Sequence, residues 1–192
     1  MSKSLFTKEE WKQNLIGCAE VLLFMHHGIS RFKTSRRAAI KSFIIPLVLL
    51  PIVLSVFVLQ SSGFSMSLLL SLHMLRIALA LILFFAAVYF LSRQYDRQEH
   101  FYHFMNVTNW SNIQGILLIL PIVIGLLAGY DMAIFESYAV FITLVGYVYS
   151  AFIVTYCFRF PWEFGGFIAI VGMAIDQNLL ELATFLRDMI AA

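Results

Sequence analysis

The chain has 192 residues, 61% of them hydrophobic and only 12% charged, with a mean hydropathy of +0.86. A soluble domain of this length is about half apolar and about a quarter charged, so one aqueous core cannot hide this surface and lipid is the expected solvent for much of it. The net charge of +2 is too small to argue for nucleic acid.

The first twenty residues, MSKSLFTKEEWKQNLIGCAE, lack a leading apolar core and a small-residue cleavage site, so the N-terminus is expected to be retained. Thr7-Lys8-Glu9-Glu10 fits a capping box. After it, Trp11, Leu15, Cys18, Leu22, Met25, Ile29 and Phe32 recur at alternating steps of four and three, which predicts one amphipathic helix over residues 7–32. Such a stripe suits either the headgroup boundary or docking against a bundle. The basic stretch that follows, with Arg31, Lys33, Arg36, Arg37 and Lys41, would attract anionic lipid.

The rest of the chain reads as five apolar runs, at about 38–59, 66–92, 113–130, 134–158 and 162–184. The first four each have about 18 residues or more, the length needed to cross about 30 Å of hydrocarbon at 1.5 Å per residue. Ser111 or Asn112 is expected to cap the third. A fifth span that stopped at Ile175 would measure only about 21 Å, so it is expected to run on past Asp176. The expected division is therefore a segment 1–37 and a five-span membrane domain 38–192.

Orientation follows from Lys and Arg. With the N-terminus inside, eleven of the thirteen fall in cytoplasmic segments, and the outer loops around 61–65 and 131–137 hold none. Trp11, Trp110 and Trp162 all fall at the inner interface on this arrangement, where amphipathic rings anchor helices. Cys18 and Cys157 have no metal spacing and are expected as free thiols on the reducing side.

Asp176 is the sharpest feature. Counting from Trp162 and from Met66 places it at a depth similar to Arg76 of the second span. An isolated charge there costs about 2.5–3.5 kcal/mol on insertion scales, which favours pairing across helices. His73 shares the Arg76 face and would reach Asn178 or Glu181. The cluster His73, Arg76, Asp176 and Glu181 is thus either a packing device or a polar path. Asp96, His100 and His103 would share one face if the second span's helix continued, as a weak metal candidate; His26-His27 is a poor chelate. Asn106-Val107-Thr108 and Asn109-Trp110-Ser111 match the glycosylation pattern but lie on the cytoplasmic side. Pro46, Pro51 and Pro121 interrupt backbone bonding inside spans, and Gly125 with Gly129 forms a small-xxx-small packing motif. No phosphate loop, nucleophile elbow or inverted repeat is visible, so no enzyme, cofactor or resident metal is expected.

The segments "FKTSRRAAIKSFIIPLVLLPI" (32–52), "NVTNWSNIQGILLILP" (106–121) and "YCFRF" (156–160) ahead of the final run together resemble small alphaproteobacterial membrane proteins distantly similar to the YIP family of Rab-interacting five-span proteins. The resemblance implies a five-span fold in a bacterial inner membrane with a periplasmic C-terminus. Eukaryotic members act in vesicle traffic and membrane shaping, but the Asp-Leu-Tyr-Gly-Pro signature is missing here, so Rab binding is not implied. The expected role is a non-enzymatic scaffold or adaptor that organises lipid, a membrane-protein partner or a second copy. The alternative is a small transporter or channel subunit using Arg76 and Asp176.

Overall fold

The computed structural model describes residues 5–60 and 65–191; Lys3 and positions 61–64 lie outside the described residues. Among the described residues every regular element is helical: α1 (Lys8–Leu22), α2 (Arg36–Ser42), α3 (Ile44–Gln60), α4 (Met66–Gln94), α5 (Phe101–Leu127), α6 (Glu136–Phe158) and α7 (Trp162–Ala191), with short 3-10 turns at His26–Arg31, Gln98–His100 and Met132–Phe135. Five helical stretches, beginning at Arg36, Met66, Gln98, Met132 and Trp162, are long and apolar enough to cross a membrane. The last continues unbroken through Asp176.

The five long helices close into a ring. α3 packs on α5, α5 on α6, α6 on α7, α7 on α4, and α4 back on α3. Neighbours in the chain are not always neighbours in space, since α4 and α5 touch only sparsely. At the α6–α7 crossing, a Cβ on Gly165 would collide with Thr155 and the Ala151 carbonyl, so only glycine allows that approach.

One end of the ring carries a cap made of α1, the His26–Arg31 turn and α2, seated mainly on the first half of α5. The capping box at Thr7 is formed in both directions: Thr7 Oγ1 accepts from the Glu10 amide at 3.1 Å, and Glu10 accepts from the Thr7 amide at 2.9 Å. The expected single helix over 7–32 is not found, because α1 stops at Leu22. Phe24 takes φ 56°, the Phe24 amide bonds the Val21 carbonyl and the Met25 amide bonds Glu20, which is a left-handed helix ending. The buried face is consequently Asn14, Gly17, Cys18 and Val21, while Trp11 and Leu15 are exposed.

The same ending recurs. Asp96 (φ 53°) closes α4, with the Asp96 and Arg97 amides on the Arg93 and Ser92 carbonyls. Arg159 (φ 57°) closes α6, and Gly129 (φ 86°) closes α5, with the Gly129 and Tyr130 amides on Leu126 and Gly125. Gly129 is therefore a turn glycine with open space around it and not a helix-packing residue, whereas Gly125 packs against the Phe135 ring.

As the position of Pro46 leads one to expect, the first apolar stretch is jointed at Phe43, because Pro46 has no N–H for the Ser42 carbonyl. Two further expectations are corrected. α5 begins at Phe101, so Ser111 and Asn112 sit within a helix; Asn112 bonds the Thr108 and Asn109 carbonyls of its own preceding turn. Trp110 is 0% exposed at the centre of the core, in edge contact with Phe6 and Trp11 at 5.3 and 5.0 Å; only Trp11 (41%) and Trp162 (48%) present a ring at the surface.

Candidate functional site

Two polar systems lie inside the molecule. The first fastens the cap. His103, Asn106, Trp110 and Gln114 are spaced three or four apart and so line one face of α5. His103 Nε2 meets the Ile29 carbonyl at 2.9 Å, Asn106 Nδ2 donates to the Lys33 carbonyl at 2.9 Å, and Gln114 Nε2 donates to the Cys18 carbonyl. Cys18 Sγ donates to the Trp110 carbonyl at 3.4 Å, and burial pushes this thiol up to about 12. On a neighbouring face Asn109 Nδ2 donates to Ser42 Oγ at 2.9 Å, and Ser42 Oγ donates to the Ala39 carbonyl. Buried side chains of α5 thus bond carbonyls of the cap, that of Lys33 lying between helices where no helical partner serves it. Asn106 and Asn109 are buried in this role and are not presented for glycosylation.

The cap surface is also held by charge. Arg31 grips Glu20 through Nε and Nη2, at 2.5 and 2.6 Å, which lowers the Glu20 carboxyl and raises Arg31. Lys33 meets Glu10 at 2.8 Å; that bond and the Thr7 amide hold the Glu10 carboxyl down at about 2. Of the cations expected to meet lipid, Arg31 and Lys33 are engaged with carboxylates. Arg36 and Arg37 are exposed and, among the described residues, make no ion pair.

The second system lies in mid-bundle. Arg76 of α4 reaches Asp176 of α7, Nη1 to Oδ1, at 3.0 Å. The two ends of the pair differ: the Arg76 side chain is 8% exposed and that of Asp176 49%. Arg76 also lies 5.2 Å over the Phe57 ring of α3, against which His73 stacks at 4.0 Å. Arg76 Nε and His73 Nδ1 are buried and without a hydrogen-bond partner. Glu181 is exposed further along α7 and, among the described residues, joins no ion pair; Asn178 bonds the Ala174 carbonyl of its own helix.

Asp176 stands on the wall of a cleft of about 460 Å³ to which all five long helices contribute. α3 gives Pro46; α4 gives Ile77, Ala80, Leu81 and Phe84; α5 gives Asn112; α7 gives Ala169, Gly172 and Asp176. α6 gives Ile142, Thr143, Gly146, Tyr147 and Ser150. Ser150 is about 12 Å and Asp176 about 21 Å from the capped ends of their helices, so the cleft occupies the middle of the bundle. A second cleft of about 360 Å³ between α5 and α6 shares Asn112, Ile142, Thr143, Gly146 and Ser150 with it. Sequence reasoning did not single out this face of α6. Its signal is Thr143, Gly146, Tyr147 and Ser150 at i, i+3, i+4 and i+7, a small-and-polar stripe on an otherwise apolar helix.

Asp96, His100 and His103 do not converge. The left-handed turn at Asp96 and the 3-10 turn after it break the shared face, and His103 points to Ile29. Among the described residues no three His, Cys, Asp or Glu side chains are grouped to hold a metal. His26 stacks on Tyr156 at 5.6 Å, and His27 faces Glu20 at 3.6 Å. Searches of the chain against protein-family models, curated proteins and solved structures found no match.

Proposed function

We propose that this is a non-enzymatic, multi-pass inner-membrane protein that acts as a scaffold or adaptor, with the capped end in the cytoplasm. The observation that carries the reading is the cap. Buried hydrogen bonds from α5 fasten α1 and the turn after it onto the bundle, and the same end exposes Leu23, Phe24 and Met25 and the cations Arg36 and Arg37. A fixed platform of apolar and cationic groups is what holding a partner or an anionic leaflet requires. The layout resemblance to YIP-like five-span proteins and the excess of Lys and Arg at the capped end support the same reading.

The test is purification of the full-length protein with its surrounding native lipid, followed by mass spectrometry of bound proteins and lipids. A Leu23→Lys/Met25→Lys variant and an Arg36→Ala/Arg37→Ala variant should each lose a stoichiometric partner or an enriched anionic lipid that the wild type retains. Unchanged composition in both variants would rule the platform out.

A second reading, a small transporter or channel subunit, is favoured by one observation: the mid-bundle cleft reaches Asp176 and touches every long helix. Solute flux into proteoliposomes, abolished by filling the cleft at Gly146, is the outcome this reading requires.

A further inference from the structure

We infer that the mid-bundle cleft binds a small organic cation with an apolar body. The inference rests on the second reading above, that this cleft handles a solute, and adds the solute's chemistry.

The wall carries a single formal charge, the Asp176 carboxylate. Its counter-ion Arg76, 3.0 Å away, is almost fully buried and is not part of the wall, so an occupant contacts the carboxylate, whose charge the guanidinium partly offsets. Arg76 engages Oδ1 alone; among the described residues no donor is bonded to Oδ2, and a carboxylate accepts several hydrogen bonds at once. Two of the four neutral polar groups, Asn112 and Thr143, add acceptors. Asn112 spends its Nδ2 on two carbonyls of its own helix, which leaves the amide oxygen as its acceptor. The Thr143 hydroxyl proton is given to the Ala139 carbonyl, which likewise leaves acceptor lone pairs. The Ser150 and Tyr147 hydroxyls can donate or accept, so the one-sided element of the wall is the Asp176 Oδ2, which favours a cationic donor over an anion.

Phe84 and Tyr147 place aromatic rings on the same wall, and a ring face attracts ammonium groups. The remaining lining is aliphatic, and the volume of about 460 Å³ lies in the range of small-molecule sites of roughly 300–1,000 Å³. An apolar body with a cationic tip matches both parts.

Gly146 supplies the decisive variant. It lines both clefts, and a Cβ built on it meets nothing within 4 Å. Gly146→Leu therefore fills the space without touching the Arg76–Asp176 pair. The probe is tritiated benzyltrimethylammonium, measured at equilibrium on the full-length protein in lipid nanodiscs, with empty nanodiscs subtracted. The wild type should bind it saturably at one per chain, and benzenesulfonate should not displace it. Affinity should fall at least tenfold in Gly146→Leu, with the unfolding temperature retained, and at least tenfold in Asp176→Asn. If Asp176→Asn does not accumulate, Gly146→Leu and the benzenesulfonate competition decide alone. No saturable binding of the cation by the wild type, equal binding by Gly146→Leu, or displacement by benzenesulfonate overturns the proposal. Tritiated benzyl alcohol separates the two levels: saturable binding that Gly146→Leu abolishes, without cation binding, keeps a solute cleft and removes the cationic class. Silence of both probes removes the cleft reading as well.

Discussion

The capped end and the middle of the bundle both bury polar side chains, and they match them with different partners. At the capped end the donors of His103, Asn106 and Gln114 meet backbone carbonyls of the cap, and the surface charges Arg31 and Lys33 are matched by Glu20 and Glu10. In mid-bundle a dry arginine is matched by a half-wet aspartate, with Arg76 Nε and His73 Nδ1 left unpartnered beside a cleft. The first arrangement fixes one geometry. Buried polar atoms without a partner occur in both regions, Asn109 Oδ1 and Trp110 Nε1 at the capped end as well as the two in mid-bundle; what sets the second apart is a charged pair with one half-exposed end on a cleft.

The sharpest way to break this contrast is to remove one charge. Asp176→Ala strands Arg76, and should cost about 3 kcal/mol, the lower end for breaking a buried pair because Asp176 keeps solvent contact. An Arg76→Met/Asp176→Ala double variant should lose less than the single one. Reversible unfolding in mixed detergent micelles measures both; additive losses would mean the pair is not coupled.

At the capped end, Asn109→Ala removes one bond and leaves Ser42 Oγ without that donor, for a loss of about 1–2 kcal/mol. Amide exchange should then accelerate across α2 while α7 is unchanged. Uniform acceleration over the whole chain would show that the cap is not a separate cooperative layer.

Smaller effects come from the helix endings. A side chain in the left-handed region costs about 1–2 kcal/mol, so Arg159→Gly and Asp96→Gly should each stabilise by up to about 1 kcal/mol once added chain entropy is offset. Gly129→Ala should destabilise by about 1 kcal/mol. Unfolding midpoints of the three variants check the signs.

The smallest effect is one of pH. The Glu10 carboxyl is held down from 4.5 to about 2, so its contribution is complete above its ordinary value and is lost as pH falls towards 2. Trp11 fluorescence should report loosening of the start of α1 over that interval, and Glu10→Gln should abolish the transition. A transition that survives the substitution would assign it to another carboxylate.

How much of this could be read from residues alone varies along the chain. The five apolar helices are legible because hydrophobic length has one cheap solution in lipid, and the levels of Arg76 and Asp176 follow from a fixed rise per residue. Helix endings are not legible where the left-handed position is Phe24, Asp96 or Arg159, since the usual signal is glycine; Gly129, the one glycine among them, reads equally well as a packing motif. Phe24 is held there by tertiary contact, stacking on Tyr149 at 4.6 Å. The start of α5 was obscured because Asn106, Asn109, Ser111 and Asn112 look like caps, while two of the asparagines face inward, Asn106 to the Lys33 carbonyl and Asn109 to the Ser42 hydroxyl. The cleft depends on which helices are neighbours, and the ring order is set by packing between distant segments.

That ring order has a consequence for biosynthesis. Arg76 and its carboxylate are separated by 100 positions. As the chain emerges from the ribosome, Arg76 is made after the Phe57 ring it lies over and long before its carboxylate, with α5 and α6 in between. Only the arrival of α7 neutralises the charge and closes the gap between α6 and α4. The pair is therefore completed only when the last of the described helices is made, and a chain cut before Asp176 would keep Arg76 without its carboxylate.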